Sequence, residues 1–231
     1  MPRLRACKMS DRLFRWIDNK TRAGTFVGVV VERMQQGVLH VGLIYRTETS
    51  GGPFVLHLMG HRKLVHDAPV TGQVCVLPPI DPVRLPSLAA LARRIYIENR
   101  DHGIPYAFSS PDHEWFTPLG HLVVGPDQLG LTCANFVLAV YRAAGLPLVK
   151  LETWPVREED KEWQSSVVEY RIAAARGNTK KLRHVQRMKK QIGTVRCRPF
   201  EVGGAALSDQ IPCAFPEALE NSNVIEQMLP P

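Results

Sequence analysis

The chain has 231 residues, of which 45% are hydrophobic and 22% charged. These proportions suit one large globular domain or two small ones and exclude disorder as the dominant state. A formal charge of +7, from 29 Lys and Arg against 22 Asp and Glu, permits contact with an anionic surface but is modest for this length.

The first residues, MPRLRACKMSDRLFRWIDNK, are basic and lack the apolar run of a secretory signal. No stretch approaches the roughly 20 apolar residues of a spanning helix. The expected location is the cytoplasm, or the outside by a route that needs no signal peptide. Thr25 to Glu32 and Val38 to Arg46 are apolar, β-branched runs that read as strands. After the turn-rich TETSGG, Phe54 to Met59 reads as the return strand of a hairpin. Lys63 to His66 and Val74 to Leu77 are shorter strands, the second ended by Pro78 and Pro79. The first part of the chain is therefore predicted to be an antiparallel meander.

From Ser87 to Arg100 the period becomes helical, with Leu88, Leu91, Ile95 and Tyr96 recurring and Gly103 and Pro105 as stops. Ala107 to Leu131 is a long Pro- and Gly-bearing loop, and loops of that length are commonly functional. A short helix follows, with Thr132 as its N-cap, CANFVLAVYRAA as its body, and Gly145 and Pro147 as its stop. Glu158 to Ile192 reads as polar helix broken near Gly177 and Asn178. Its Arg176–Lys190 segment is basic and contains no acid, as a solvated face or as a contact for an anionic surface or a protein. Nucleic acid is disfavoured, because aromatic interleaving is missing. Val195 to Phe200 is a strand candidate, followed by a Gly-, Pro- and Ala-rich tail. The expected organisation is a core over residues 1–155 and a basic helical extension over 156–231, packed on the same domain.

Five cysteines, Cys7, Cys75, Cys133, Cys197 and Cys213, form no C-x-x-C pair, which argues against a disulfide scaffold and a structural zinc site. Cys133 differs from the others because it opens a helix. There the helix dipole favours a thiolate, and free backbone N–H groups can hold a developing oxyanion. The plainer alternative is a buried small hydrophobe. A cysteine nucleophile needs a base, and the base needs an orienter. If Arg46 pairs with Pro53, His40 lies opposite Met59 and Gly42 opposite His57, so the two histidines share a face as diagonal neighbours within about 7–8 Å. A one-residue slip would separate them. Zinc at His57, His61 and His66 is the weaker use of these residues, and no metal or other cofactor is expected.

The segments GIPYAF and LTCANFVLAVYRAAGLPL resemble the nucleophile region of the NlpC family of papain-like cysteine peptidases, and HVGLIYRTETSGGPFVLHL resembles that family's histidine hairpin. The histidines precede the cysteine, as in the circularly permuted branch that includes the lecithin:retinol acyltransferase-like proteins. The resemblance covers roughly Val38 to Met59 and Gly103 to Leu148. It implies an α+β papain-like fold in permuted order, an antiparallel sheet packed against the cysteine helix. It also implies Cys133 as nucleophile, His40 as base, His57 as orienter and Tyr106 at the oxyanion site. Ala134 departs from the serine common after the nucleophile, and the Tyr106–Cys133 loop is longer than in the peptidases. The implied activity is thiol hydrolysis of an amide, in a peptide, an isopeptide or a cell-wall peptide. Acyl transfer on a lipid or thioester and a non-catalytic binding module using the basic helix are the competing readings.

Overall fold

The computed structural model describes residues 9–16, 24–49, 52–125 and 128–230. A one-turn helix α1 (Met9–Arg12) leads into strand β1 (Leu13–Arg15). Strands β2 (Phe26–Arg33), β3 (Leu39–Arg46), β4 (Phe54–Gly60), β5 (Lys63–Asp67) and β6 (Val74–Val76) follow. The helices are α2 (Leu85–Asn99), α3 (Cys133–Ala143), α4 (Glu158–Ala174), α5 (Thr179–Lys189), α6 (Pro199–Leu207) and α7 (Phe215–Met228). The fold is α+β, and its strands form one antiparallel sheet in the order β1-β6-β2-β3-β4-β5.

The meander holds from β2 to β5 but not beyond. β6 leaves the β5 edge, crosses over and pairs with β2, and β1 pairs with β6 outside it. β2 explains the crossover, because its residues Phe26 to Val31 are buried without a break. A strand buried on both faces belongs in the sheet interior and needs a ladder partner along each edge. The hairpin supplies β3, and the three buried residues of β6 supply the other.

Alternation along the strands divides the core. Val27, Val29, Val31, Val41, Leu43, Tyr45, Leu56 and Leu58 join a main core that includes α2, α3, α6 and α7 residues. Phe26, Val30, Ile44, Val55 and Cys75 face the other way and pack with Trp16 and Leu77. Burying each such side chain contributes about 1.5–3 kcal/mol.

The C-terminal region differs from its expected form. No strand forms over residues 195–200; Pro199 starts α6 instead. The Gly-Gly-Ala-Ala run that reads as a loose tail is a helix whose small residues allow close packing. Val202, Ala205, Ala206, Ala218 and Ile225 all belong to the main core. Helices α4 and α5 are separated by Gly177, with Asn178 capping α5 through its side chain. The basic side chains of residues 176–190 are exposed, while Val185 and Met188 of α5 pack against Ala107, Phe108 and Val168. No helix among the described residues is long and apolar enough to cross a membrane.

Candidate active site

Helix α3 begins at Cys133. Thr132 is extended, and its hydroxyl oxygen accepts the Asn135 N–H at 3.1 Å, closing the N-cap. The helix is buried from Ala134 through Tyr141, whereas Cys133 at its first position is partly exposed. The sulfur is approached by the backbone N–H groups of Val41, Ala134 and Cys133 itself. Val41 directly follows His40, so the helix start is level with the start of β3.

The β3–β4 ladder pairs Leu43 with Leu56, Ile44 with Val55 and Tyr45 with Phe54, the register the hairpin reading requires. One step along, a Cβ on Gly42 would lie 2.9 Å from the His57 Cβ and 3.0 Å from a Val55 methyl carbon. Glycine there gives the His57 ring its room. The rings meet more closely than a diagonal estimate suggests: His40 Nε2 and His57 Nδ1 are 2.9 Å apart, and both side chains are buried. This bond occupies Nε2 of His40 and leaves its Nδ1 as the nitrogen available to a thiol.

A carboxylate missing from the sequence reading completes the cluster. Glu32 stands opposite His40 in the β2–β3 ladder. One of its oxygens is 4.0 Å from His57 Nδ1, and the other accepts a hydrogen bond from the Gln73 amide at 2.9 Å. The register of that hairpin was the signal that could have found it, since residues paired across a ladder share a face. Ligand atoms of Glu32, His40 and His57 lie within 4.8 Å of one another, which makes the trio a conceivable cation site. Two nitrogens bound to one tetrahedral zinc would stand about 3.4 Å apart. The 2.9 Å separation is that of a hydrogen bond between the two rings, with the Glu32 carboxylate close by at 4.0 Å. His57, His61 and His66 form no metal cluster among the described residues; His66 Nε2 instead meets the Tyr45 hydroxyl at 2.8 Å.

Tyr106 reaches the site through its backbone neighbours. Gly103 has φ +62°, and a Cβ there would lie 2.2 Å from the Arg62 carbonyl oxygen, so only glycine fits between the β4–β5 turn and this segment. The Leu131 N–H donates to the Pro105 carbonyl at 2.9 Å, tying the residue before Tyr106 to the run leading into Cys133. The long loop therefore returns to its own start. The guanidinium carbon of Arg171 lies 4.2 Å from the Tyr106 ring centre.

Electrostatics oppose a standing thiolate. Burial pushes the Cys133 thiol up, and the N–H groups of Val41 and Ala134, the Arg196 charge and its own N–H offset this only in part. The helix N-terminus thus does not by itself ionise the cysteine, contrary to the simplest dipole expectation. Burial, then the neighbouring His57, lowers His40 to about 4. Burial also lowers His57, against the pull of Glu32 and Asp67. The resting pair at neutral pH is thiol and neutral imidazole. Burial raises the Tyr106 hydroxyl, and a thiolate at Cys133 would raise it further. Arg196, also absent from the sequence reading, lies 3.4 Å over the Trp163 ring and donates to the buried Asp160 at 3.0 Å.

Cys75, Cys197 and Cys213 are free and buried, and burial raises all three thiols. Cys7 lies outside the described residues. A cavity of about 680 Å³ is lined by loop residues Phe108, Ser109, His113 and Leu129 and by Gln191 and Thr194; Cys133 does not line it. No protein-family model, curated protein or solved structure matches the chain.

Proposed function

We propose that the chain is a thiol hydrolase of papain-like type in circularly permuted order, cleaving an amide bond in a peptide, an isopeptide or a cell-wall peptide. The observation that carries the reading is the buried 2.9 Å contact between His40 and His57 on a strand whose next N–H, that of Val41, reaches the sulfur of Cys133. Nδ1 of His40 takes the thiol proton as the sulfur attacks the carbonyl carbon. His40 then donates that proton to the leaving amine, and a thioester forms. Water, deprotonated by the same nitrogen, releases the acid and restores the thiol. His57 holds the His40 ring in place, and Glu32 offsets the positive charge that develops on the pair. The N–H groups at the start of α3 stabilise the oxyanion, with Tyr106 beside them.

The test is hydrolysis of amide and ester probes by purified protein. Cys133→Ala should lower turnover by on the order of 10³-fold or more while the circular dichroism spectrum is unchanged. His40→Ala should lower it by about 10²–10⁴-fold. Full turnover in Cys133→Ala would sink the reading. Cleavage of lipid esters with no amide hydrolysis would move the substrate class to lipids.

A further inference from the structure

A second cluster lies on the far side of Tyr106. The Tyr106 backbone N–H donates to Nδ1 of His61 at 3.3 Å, and Nε2 of His184 donates to the Tyr106 carbonyl at 2.9 Å. These bonds set the tautomers: the remaining nitrogen of His61 carries a proton, and Nδ1 of His184 has no partner among the described residues. The two rings contact one another, with centroids 4.5 Å apart. Together with Tyr170, Arg171, Lys181 and Val185 they line a cavity of about 200 Å³.

The charge of this cavity is one-sided. Arg171 stacks on Tyr106, yet its Nε is buried without a hydrogen-bond partner, and no carboxylate pairs with it among the described residues. Lys181 is exposed and likewise unpaired among those residues. The Arg62 guanidinium, at the β4–β5 turn, donates to the His102 carbonyl at 3.2 Å and has no acidic partner among the described residues. The charges that bear on His61 are His184, Arg171, Arg62 and Lys181, with no acid. A partly desolvated guanidinium normally finds an anion, because leaving its donors unmade costs free energy. An Arg fork, a Lys ammonium and the one free imidazole N–H, that of His61, line one small cavity and are the donors that hold a multiply charged oxyanion.

We propose that this cavity binds a phosphate group, with Arg171 and Lys181 as the principal cations and His61 as a neutral donor. The site does not involve Cys133, so its failure would leave the hydrolase reading untouched, and the reverse also holds. The test is titration of the full chain with inorganic phosphate, and separately with glycerol 1-phosphate, followed by histidine side-chain NMR at constant ionic strength. The resonances of His61 and His184 should move together and saturate, while those of His40 and His57 stay still. Lys181→Gln, an exposed change that spares the fold, should weaken binding about tenfold, and Arg171→Gln should weaken it more. Saturation by both compounds marks a site for the phosphate of a larger ligand; saturation by inorganic phosphate alone marks a site for the free ion. A linear drift matching that of chloride would overturn the proposal, as would acetate binding equal to phosphate, or unchanged affinity in Lys181→Gln and Arg171→Gln.

Discussion

At the scale of single residues, burial governs the candidate site more than the helix dipole does. Cys133 sits where a dipole favours a thiolate, yet enclosure wins and holds the thiol up. Alkylation of Cys133 by iodoacetamide should therefore rise with pH through the ordinary cysteine range without a plateau; a plateau near neutrality would mean a standing ion pair. His40 must be unprotonated to act as base, and it sits at about 4. Amide turnover should accordingly hold down to roughly that pH and then fall by about tenfold per unit. The same depression couples to stability. Between the unfolded value near 6.5 and the folded value near 4, the unfolded chain binds a proton that the folded chain does not. Stability from this residue is complete above the unfolded value and declines as pH falls, by about 3 kcal/mol in all. Urea melts at pH 7 and pH 4.5 should show that loss, and His40→Gln should reduce it. Both histidines and the cysteine were legible by type and spacing. Glu32 was within reach through the β2–β3 register, which sets it opposite His40; Arg196 was not, because an arginine in a loop has no local signature and its part depends on what lies beside it.

Elements carry these residues to their places, and turn chemistry fixes the elements. Thr132 caps α3 with its side chain, so Thr132→Ala should cost about 1 kcal/mol in chemical denaturation. It should also lower activity, since the cap positions the residue next to it. Gly42→Ala puts a carbon 2.9 Å from the His57 Cβ. It should destabilise by about 1–3 kcal/mol and should reduce turnover beyond what the lost stability explains, because the His40–His57 contact must open. A Gly42→Ala protein with wild-type turnover would show that the two rings do not act together. The hairpin, the α2 and α3 boundaries and the α4–α5 break were all readable, since periodicity and caps are local. The β6 crossover was not: a three-residue apolar strand looks the same beside β5 as beside β2. The strand expected over Val195–Phe200 failed for a related reason. The run is apolar enough for a strand, but Pro199 opens a helix, and the Glu201 carboxylate accepts the Arg198 N–H at 2.8 Å at its start.

For the whole molecule, the C-terminal helices belong to the same core as the sheet, through Val202, Ala205, Ala206 and Ile225. A chain ending before Pro199 should lose cooperative thermal unfolding; a sharp transition in that truncation would show that the sheet and α3 suffice. Asp160 is buried among Arg157, Arg196 and Arg198, which hold its carboxyl low against the upward push of burial. Its neutralisation would leave arginines packed without their acid, at a cost of about 3–5 kcal/mol. Thermal melts of Asp160→Asn should show this as a lowered midpoint, and turnover should fall too, because Arg196 would lose its anchor near Cys133. The sequence by itself determined the α+β class, the hairpin, the capped helix and the residue types of the candidate site. Each of these rests on interactions between residues near in the chain, or on a period that one strand or helix repeats. Tertiary structure alone decided the sheet order, the helical tail, the arginine near Cys133 and the cationic cavity beyond Tyr106. Those depend on residues far apart in sequence, whose meeting is set by how the buried faces of the elements pack.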